Sequence, residues 1–300
     1  MLSIRPETII PPLKRGDEFT IVAASSIIND EISLLNGLET LNEWGLVCRS
    51  KIFKRKPWGY LASSDEKRFN ELHYQEKTSL ITFARGGWGA ARLLERNQPW
   101  RTGYMIGFSD VSSILLSRLA AGFYGGIHGP LLTSLHNEPN WSKERLRRLL
   151  FGERVPDLYG EPWVKGVATG PLVVTNLTVA SHLLGSSHMP NLNGAVLILE
   201  DTGEAPYRID RMLTHWRLAG LLQDLAGLAF GSFSNCMDDD QSALQNNFTL
   251  EEILKERCFD LNIPVIGNLL IGHCQGNAAM PIGKKVILDG NKGRVSLYDD

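Results

Sequence analysis

Short apolar runs that end in small or polar residues recur through the first half of this 300-residue chain. They span residues 19–26, 80–87, 104–110 and 124–130, and they alternate with amphipathic stretches such as 30–44. This alternation predicts strands that lead into helices around a mostly parallel sheet. In such sheets, ligand sites gather where strands end and helices begin. We therefore expect an α/β fold whose functional residues follow the apolar runs.

The second half of the chain has a different pattern. Residues 151–168 carry Pro and Gly without sustained periodicity, which indicates an interdomain connector. We therefore predict an N-terminal α/β domain over 1–152, a linker over 153–168 and a C-terminal domain over 169–300. Beyond the linker, apolar runs flank one long amphipathic helix near 206–225, and a hairpin with a Gly-containing turn closes the chain. The second domain is expected to be rich in strands, with one or two helices.

Composition excludes several classes of protein. The 31 basic and 33 acidic residues leave a formal charge of −2, without the basic excess of a nucleic-acid-binding protein. The N-terminus has no basic segment followed by a sustained apolar run, and no 18-residue apolar span occurs, so we expect a cytoplasmic protein with no membrane partner. The four cysteines are scattered, which favours free thiols over disulfides or zinc. No metal and no cofactor are expected.

Ser109 is a candidate nucleophile. It follows the apolar run YMIGF and precedes VSSILLSRLAAG, whose apolar residues can form one face of a helix. A nucleophile at a sharp strand-to-helix turn lies beside backbone N–H groups that can stabilise an oxyanion. The hydrolase motif G-x-S-x-G is not met, because GFSDV lacks the second glycine. Taken alone, MIGFSDVSS favours Ser109 or Asp110 as the N-cap of the following helix.

Three other apolar runs end in candidate site residues. Gly86 and Gly87 in ARGGWGAARLL could bring backbone amides to a ligand or form a tight turn, without the spacing of a nucleotide-binding loop. Glu200 closes GAVLILE, where it could orient a histidine, be solvated, cap the helix at 206 or pair with Arg208 and Arg211. His273 closes IPVIGNLLIGH and is a candidate general base. With Ser109, Glu200 and His273 supply a nucleophile, an acid and a base in an order that a triad allows.

Several segments together match one protein family. They include ARGGWGAARLL, IGFSD, IHGPLLTSL, GAVLILEDTGEAPYRIDRMLTHWRLAG and GHCQGNAAMPIGKKVILD, and they span about residues 20 to 290. In these segments the chain resembles the LD-carboxypeptidases, serine peptidases of the muramoyltetrapeptide carboxypeptidase type that also include microcin C immunity proteins. The resemblance implies a flavodoxin-like N-terminal domain and a smaller C-terminal domain of the swivelling β/β/α type.

The resemblance also implies the roles of individual residues. It implies a catalytic triad of Ser109, Glu200 and His273, and an oxyanion hole made by the backbone N–H groups of Gly86 and Asp110. A carboxypeptidase must recognise a free carboxylate, for which an arginine or a helix N-terminus is suited, and Arg85 is the nearest candidate in the sequence. We therefore expect Arg85 to bind substrate, with a structural ion pair as the alternative role. Trp88, which stands where the family usually has Tyr, is expected at the edge of the substrate pocket.

The typical substrate of the family is the murein tetrapeptide. Its terminal D-alanine is removed across an L-to-D bond during cell-wall recycling, and relatives are often homodimers, so we expect a homodimer here. Three alternatives stay open, and the weakest of them is a nucleotide-binding enzyme, because the sequence has no phosphate-binding motif. An enzyme of the microcin immunity type would use the same triad to cleave a peptidyl- or aminoacyl-nucleotide amide, and a non-catalytic binding protein of two α/β domains would use the strand-end loops for a small ligand.

Overall fold

The structure is a computed structural model, and it describes residues 10–50, 56–73, 78–237 and 247–298. The strands are β1 (Glu18–Val22), β2 (Val47–Cys48), β3 (Leu80–Phe83), β4 (Tyr104–Gly107), β5 (Gly126–His128), β6 (Leu158–Tyr159), β7 (Glu161–Val164), β8 (Val167–Asn176), β9 (Val196–Thr202), β10 (Gly227–Ser234), β11 (Val265–Gly267), β12 (Met280–Pro281), β13 (Lys285–Asp289) and β14 (Arg294–Leu297). The α-helices are α1 (Glu31–Glu43), α2 (Asp65–His73), α3 (Ser112–Ala120), α4 (Leu132–Leu135), α5 (Asn140–Leu150), α6 (Leu177–Ser181), α7 (Pro206–Leu218) and α8 (Leu250–Cys258). Two 3-10 helices span Ala91–Glu95 and Ser109–Val111.

The chain divides into two compact units. Unit 1 comprises residues 1–155, 185–190 and 276–282, and unit 2 comprises residues 156–184, 191–275 and 283–300. None of the helices in the described part of the chain is long and apolar enough to span a membrane.

The sheet of unit 1 has the strand order β12-β5-β4-β3-β1-β2. Strands β1 to β5 pair in parallel, in the order 2-1-3-4-5 of flavodoxin-like folds, and β12 adds an antiparallel edge. Successive residues of β1 enter different apolar clusters, Ile21 with Leu34 of α1 and Val22 with Ile114 of α3. Because side chains alternate along a strand, both faces of the sheet are buried under helices. The expected α/β fold with a mostly parallel sheet is confirmed.

The sheet of unit 2 has the order β6-β14-β13-β8-β9-β10-β11-β7. Its central strands β8 to β11 run parallel, and the strands on both sides are antiparallel. The closing hairpin β13–β14 is as expected, whereas α7 ends at Leu218 rather than near 225. The position of helix α8 was not predicted, although Thr249 and Glu252 form a capping box whose T-x-x-E spacing is a recognisable helix start.

The stretch 153–168, expected to be a linker, contains β6, β7 and the start of β8. Both β6 and β7 are edge strands of the unit 2 sheet. An edge strand tolerates Pro162, since not every N–H there must enter the ladder. The Pro and Gly residues that suggested a linker therefore mark the edges of a sheet.

The segment 276–282 belongs to unit 1, although the chain on both sides of it belongs to unit 2. The buried Glu138 carboxylate accepts hydrogen bonds from the N–H groups of Gly276 at 2.8 Å and Asn277 at 3.1 Å. The segment then pairs with β5 as β12. The expectation of one continuous C-terminal domain over 169–300 is therefore wrong at this segment, because a two-residue strand is too short to be recognised from its sequence.

Candidate active site

Ser109 lies in a strained turn between β4 and α3. Its φ is 60°, in the left-handed region, and the other non-glycine residues with positive φ in the described ranges are asparagines. Asparagine tolerates this region, whereas a serine there costs free energy, and such strain is concentrated at functional positions in proteins. Neither the 3-10 helix that begins at Ser109 nor α3 has a side-chain cap hydrogen bond. The N-cap positions of these two helices are Phe108 and Val111, so the interpretation of Ser109 or Asp110 as an N-cap is wrong.

The turn at Gly86 lies directly against Ser109. A Cβ atom built on Gly86 would stand 3.0 Å from the Cβ and 3.1 Å from the Oγ of Ser109. Only a residue without a side chain lets the backbone approach a serine hydroxyl this closely. Gly87 has a φ of 108°, and Ser26 Oγ accepts a hydrogen bond from the Trp88 N–H at 3.0 Å, which holds the turn in place. A backbone beside a nucleophile is where oxyanion donors are required.

The Asp110 carboxylate connects the two turns of unit 1. It is buried, and its Oδ2 accepts a hydrogen bond from the Ala90 N–H at 2.8 Å. Burial raises the pKa of this carboxyl, and hydrogen bonds from Ser25, Ala90 and Gly89 oppose that rise. The expectation that this side chain caps the helix after Ser109 is thus replaced by a bond to the neighbouring glycine turn. The carboxylate holds that turn beside the serine.

Arg68 is a supporting residue that the sequence did not reveal. It is fully buried, and its guanidinium donates to the carbonyls of Ala24, Gly89 (2.8 Å) and Ser63 (3.1 Å). Burial lowers the pKa of Arg68, and the Asp65 carboxylate opposes that shift. Its position within the charged run SDEKRFNEL predicts an exposed side chain, because arginine is rarely buried. The side chain joins the loop after β1 to the glycine turn.

Arg85 and Trp88 flank the same turn and differ in their exposure. The half-buried Arg85 donates from Nη1 to the Ile27 carbonyl at 2.9 Å and from Nε to the Gly86 carbonyl at 3.2 Å. These bonds are structural, with backbone acceptors in place of the ion pair considered from sequence. The Trp88 side chain is 46% exposed and available to a ligand.

Glu200 and His273 form a hydrogen-bonded pair in unit 2. Glu200 is fully buried in β9, and its Oε2 lies 2.7 Å from Nδ1 of His273, which follows β11. A carboxylate can only accept, so Nδ1 carries the proton and Nε2 is left as the acceptor. This is the tautomer that a general base requires. Solvation, helix capping and pairing with an arginine, the other roles considered for Glu200, do not describe a fully buried carboxylate on a histidine.

Gly272 makes the Glu200–His273 pair possible. Its φ is 103°, and a Cβ atom there would lie 2.7 Å from both Cβ and Cγ of Glu200. The following residue can therefore place its ring on the carboxylate only because residue 272 is glycine. Asp201, the next residue of β9, binds elsewhere, accepting hydrogen bonds from Asn176 at 2.9 Å and from the N–H and hydroxyl of Thr178. Within the described residues, no group of three or more His, Cys, Asp or Glu side chains is placed to hold a metal ion.

The structure thus assembles the expected site residues in two groups. Unit 1 contains Ser109, Gly86, Asp110 and their supports, and unit 2 contains the Glu200–His273 pair. A half-buried serine in a strained turn and a histidine oriented by a carboxylate are features that hydrolases with a serine nucleophile have.

Comparison with known families agrees with this class. The family model of the LD-carboxypeptidase N-terminal domain matches residues 20–129, and that of the LD-carboxypeptidase C-terminal domain matches residues 169–288. The two matches cover most of the chain. The chain belongs to the LD-carboxypeptidase family.

Similar proteins match most of the chain. A protein of Synechocystis sp. whose name assigns it to the carboxypeptidases is 41% identical over 95% of this chain and 96% of its own length. A Pseudomonas aeruginosa protein named murein tetrapeptide carboxypeptidase is 33% identical, over 78% of this chain and 81% of its own. Among solved structures, the muramoyltetrapeptide carboxypeptidase from Oxalobacter formigenes aligns with a TM-score of 0.81 at 23% identity, over 93% of this chain and 97% of that one. MccF in complex with glutamyl sulfamoyl guanosine also gives 0.81, at 18% identity over 97% of this chain and 98% of that one. Both structures share the two-domain fold.

Proposed function

We propose that this protein is a serine carboxypeptidase that hydrolyses the L-to-D peptide bond of murein tetrapeptides and releases the terminal D-alanine. The buried Glu200–His273 hydrogen bond of 2.7 Å carries the proposal. A histidine whose Nδ1 is bound by a buried carboxylate is a base with a fixed orientation. The name of the Pseudomonas aeruginosa relative supports the choice of substrate.

In the proposed reaction, His273 Nε2 takes the proton from the Ser109 hydroxyl as its oxygen attacks the scissile carbonyl. The resulting tetrahedral oxyanion receives hydrogen bonds from the backbone N–H groups of Gly86 and Asp110, each worth about 3 to 4 kcal/mol in serine enzymes. The protonated His273 then gives its proton to the leaving amine of D-alanine, and an acyl-serine remains. Water, deprotonated by the same histidine, hydrolyses the acyl group. The Glu200 carboxylate stabilises the imidazolium in both halves of the reaction.

The structural contacts support each of these roles. Strain at Ser109 and the absence of a side chain at Gly86 keep the nucleophile close to backbone donors. The Asp110 carboxylate accepts a hydrogen bond from the Ala90 N–H, so the backbone N–H of Asp110, and not its side chain, is proposed to bind the oxyanion. The Arg85 guanidinium holds carbonyls of the turn, which makes it a positioning residue in this proposal. Trp88 is the exposed side chain nearest in sequence to that turn and is proposed to contact the peptide.

A second candidate is the hydrolysis of an aminoacyl-nucleotide amide by the same residues. The likeness of the fold to MccF bound to glutamyl sulfamoyl guanosine favours it. The exposed Trp88 is suited to stacking on a nucleobase.

The test is to incubate the purified protein with a murein tetrapeptide and to measure D-alanine by mass spectrometry. A matched peptide that ends in L-alanine measures stereochemical selectivity, and an aminoacyl-nucleotide amide serves as the competing substrate. We expect Ser109→Ala to reduce D-alanine release more than about 1,000-fold. The control is Ser33→Ala, which removes a hydroxyl in the first turn of α1 that donates a hydrogen bond to the Asp30 carboxylate. This variant is expected to keep full activity.

Two results would contradict the proposal. Full D-alanine release by a folded Ser109→Ala variant would exclude the serine mechanism. Turnover of the aminoacyl-nucleotide without any release from the LD-peptide would establish the second candidate instead.

A further inference from the structure

Three exposed aromatic side chains belong to two loops of unit 1 near the candidate nucleophile. Trp58 is 52% exposed and Tyr60 is 61% exposed, and Trp88 lies in the glycine turn that faces Ser109. We call Trp58, Tyr60 and Trp88 the aromatic patch. The reaction proposed above uses Trp88 alone, and it gives Trp58 and Tyr60 no role. Large apolar side chains that are exposed close together mark surfaces that bind a ligand or a partner.

Backbone contacts hold the two loops of the aromatic patch together. Trp58 and Leu61 close a turn by exchanging two N–H···O hydrogen bonds of 3.1 Å each, and Leu61 pairs with Ser26. The hydroxyl of Ser26 accepts a hydrogen bond from the N–H of Trp88 at 3.0 Å. Gly89 leaves no room for a Cβ atom against the Leu61 side chain. The turn closed by Trp58 therefore packs directly on the turn that contains Trp88.

Arg92 holds the Trp58 ring in place. Its guanidinium carbon lies 5.5 Å from the centre of that ring, which is a cation–π distance. The same guanidinium forms a bidentate ion pair with Asp65, in which Nη2 lies 2.6 Å from Oδ2 and Nε lies 3.1 Å from Oδ1. A ring that is fixed before a ligand arrives loses less conformational entropy on binding. The Trp58 ring is thus preorganised for a ligand that stacks on it.

The two arginines beside the aromatic patch are already engaged. Arg92 is neutralised by Asp65, and the Arg85 guanidinium donates to the carbonyls of Ile27 and Gly86. A nucleotide would bring a phosphate, for which a guanidinium is the preferred side-chain partner. Because both guanidiniums have other partners, the patch suits an uncharged ring better than it suits a nucleotide.

We propose that the aromatic patch binds an uncharged sugar ring, namely the N-acetylated sugar that a murein peptide carries at its amino end. This inference rests on the proposed function, because it names a second part of the same substrate. The C–H groups on one face of a pyranose carry partial positive charge and pack on the negatively polarised face of an aromatic ring. The hydroxyl and acetamido groups of the sugar can form hydrogen bonds with the Tyr60 hydroxyl and with the indole N–H groups.

The length of the peptide agrees with this placement. Three residues of a tetrapeptide lie between its amino end and the scissile carbonyl, and three extended residues span about 10 Å. Trp88 follows Gly86 by two residues, so their Cα atoms are at most about 7 Å apart. Trp58 is reached from Trp88 through Ser26. A peptide whose carbonyl lies at Ser109 can therefore place its amino end, and the sugar on it, at the patch.

The experiment compares two substrates that differ only in the sugar, the free murein tetrapeptide and the same tetrapeptide carrying N-acetylmuramic acid. In the wild type we expect kcat/KM to be about five- to tenfold higher for the sugar-bearing peptide, through a lower KM at the same kcat. Trp58→Ala is expected to abolish this preference and to leave kcat/KM for the free tetrapeptide unchanged. Trp58→Phe keeps a ring and is expected to retain the preference within about twofold.

The matched control is Tyr159→Ala, which removes an aromatic ring that is 64% exposed on β6 of unit 2. It is expected to keep the full preference for the sugar-bearing peptide. If Trp58→Ala does not fold, Tyr60→Ala decides, and it is expected to reduce the preference by about half or more. Equal kcat/KM for the two substrates in the wild type, or an undiminished preference in the folded variant, would overturn the inference and leave the proposed peptidase activity intact.

A binding measurement separates this inference from the proposed function. The tripeptide products, with and without the sugar, have no D-alanine to release, so their affinities can be measured by calorimetry without turnover. We expect the sugar-bearing tripeptide to bind about five- to tenfold more tightly to the wild type and not to Trp58→Ala. This result without any D-alanine release would support the sugar site and contradict the peptidase proposal. If Trp58→Ala instead weakens binding of an aminoacyl-nucleotide alone, the patch binds a nucleobase and the inference is wrong.

Discussion

Gly272→Ala is the substitution that most directly tests the Glu200–His273 pair. The new Cβ would lie 2.7 Å from Cβ and Cγ of Glu200 and closer still to its Oε2. Carbon atoms in contact prefer about 3.5 Å or more, so the carboxylate side chain must move by about 0.8 Å. The same movement away from residue 272 would stretch the 2.7 Å bond to His273 Nδ1 to about 3.5 Å, outside hydrogen-bond range. The variant therefore removes the orientation of the base without touching either partner chemically.

The expected loss follows from what an orienting carboxylate contributes. Removing that interaction in a serine protease costs about 10,000-fold in kcat, and we expect between about 100-fold and 10,000-fold here, equal to about 3 to 5 kcal/mol of activation free energy. The positive φ of 103° adds a stability cost of about 1 to 2 kcal/mol for alanine.

The assay is kcat for D-alanine release, measured together with the free energy of unfolding. Gly16→Ala is the matched control, because Gly16 has a φ of 92° but nothing within 4 Å of its Cβ position. It is expected to show the stability cost alone, with kcat unchanged. A folded Gly272→Ala variant with kcat within about twofold of the wild type would refute the reasoning that this glycine holds the pair together.

Two further predictions concern packing and charge. Gly86→Ala would place a Cβ 3.0 Å from Cβ and 3.1 Å from Oγ of Ser109. We therefore expect kcat to fall about 10- to 100-fold with little change in Tm. An unchanged kcat would show that the Ser109 side chain can move aside without loss of activity. The pKa of Glu144 is lowered to about 2 by hydrogen bonds from Arg147 and Arg148. A carboxyl group with a lowered pKa contributes to the free energy of unfolding at any pH above its unfolded-state pKa, and this contribution is lost as the pH falls through the folded-state pKa. Urea unfolding should therefore show Glu144→Gln about 0.5 to 1 kcal/mol less stable at pH 7, the value for a partly exposed pair, with the difference shrinking between pH 5 and pH 2; a constant difference would contradict this assignment.

The overall fold was predictable where burial makes a strand apolar along its whole length. In unit 1, β1, β3 and β4 are covered on both faces, so their runs stand out in the sequence. The edge strands β6 and β7 were not predictable, because a strand paired on one side only need not be apolar and tolerates Pro162. The two-residue strand β12 is too short for any periodicity.

The candidate site was predictable as a set of strand ends, but its geometry was not. Glu200 and His273 are 73 residues apart in the chain, and only the sheet order brings them to 2.7 Å. The nine residues around Ser109 favoured a helix cap. They did not predict the φ of 60° at Ser109, because that angle is imposed by tertiary packing rather than by local sequence. Arg68 was missed because its burial depends on carbonyl acceptors from distant turns.

The return of residues 276–282 to the sheet of unit 1 limits how this gene can be divided. A fragment that ends at residue 155 would lack β12 and would leave the backbone of β5 as an open strand edge. Open edges pair with other chains, so such a fragment is expected to aggregate. The Glu138 carboxylate would at the same time lose the two N–H groups that it binds and remain buried. Fusion partners and tags therefore belong at the chain ends and not between the two units.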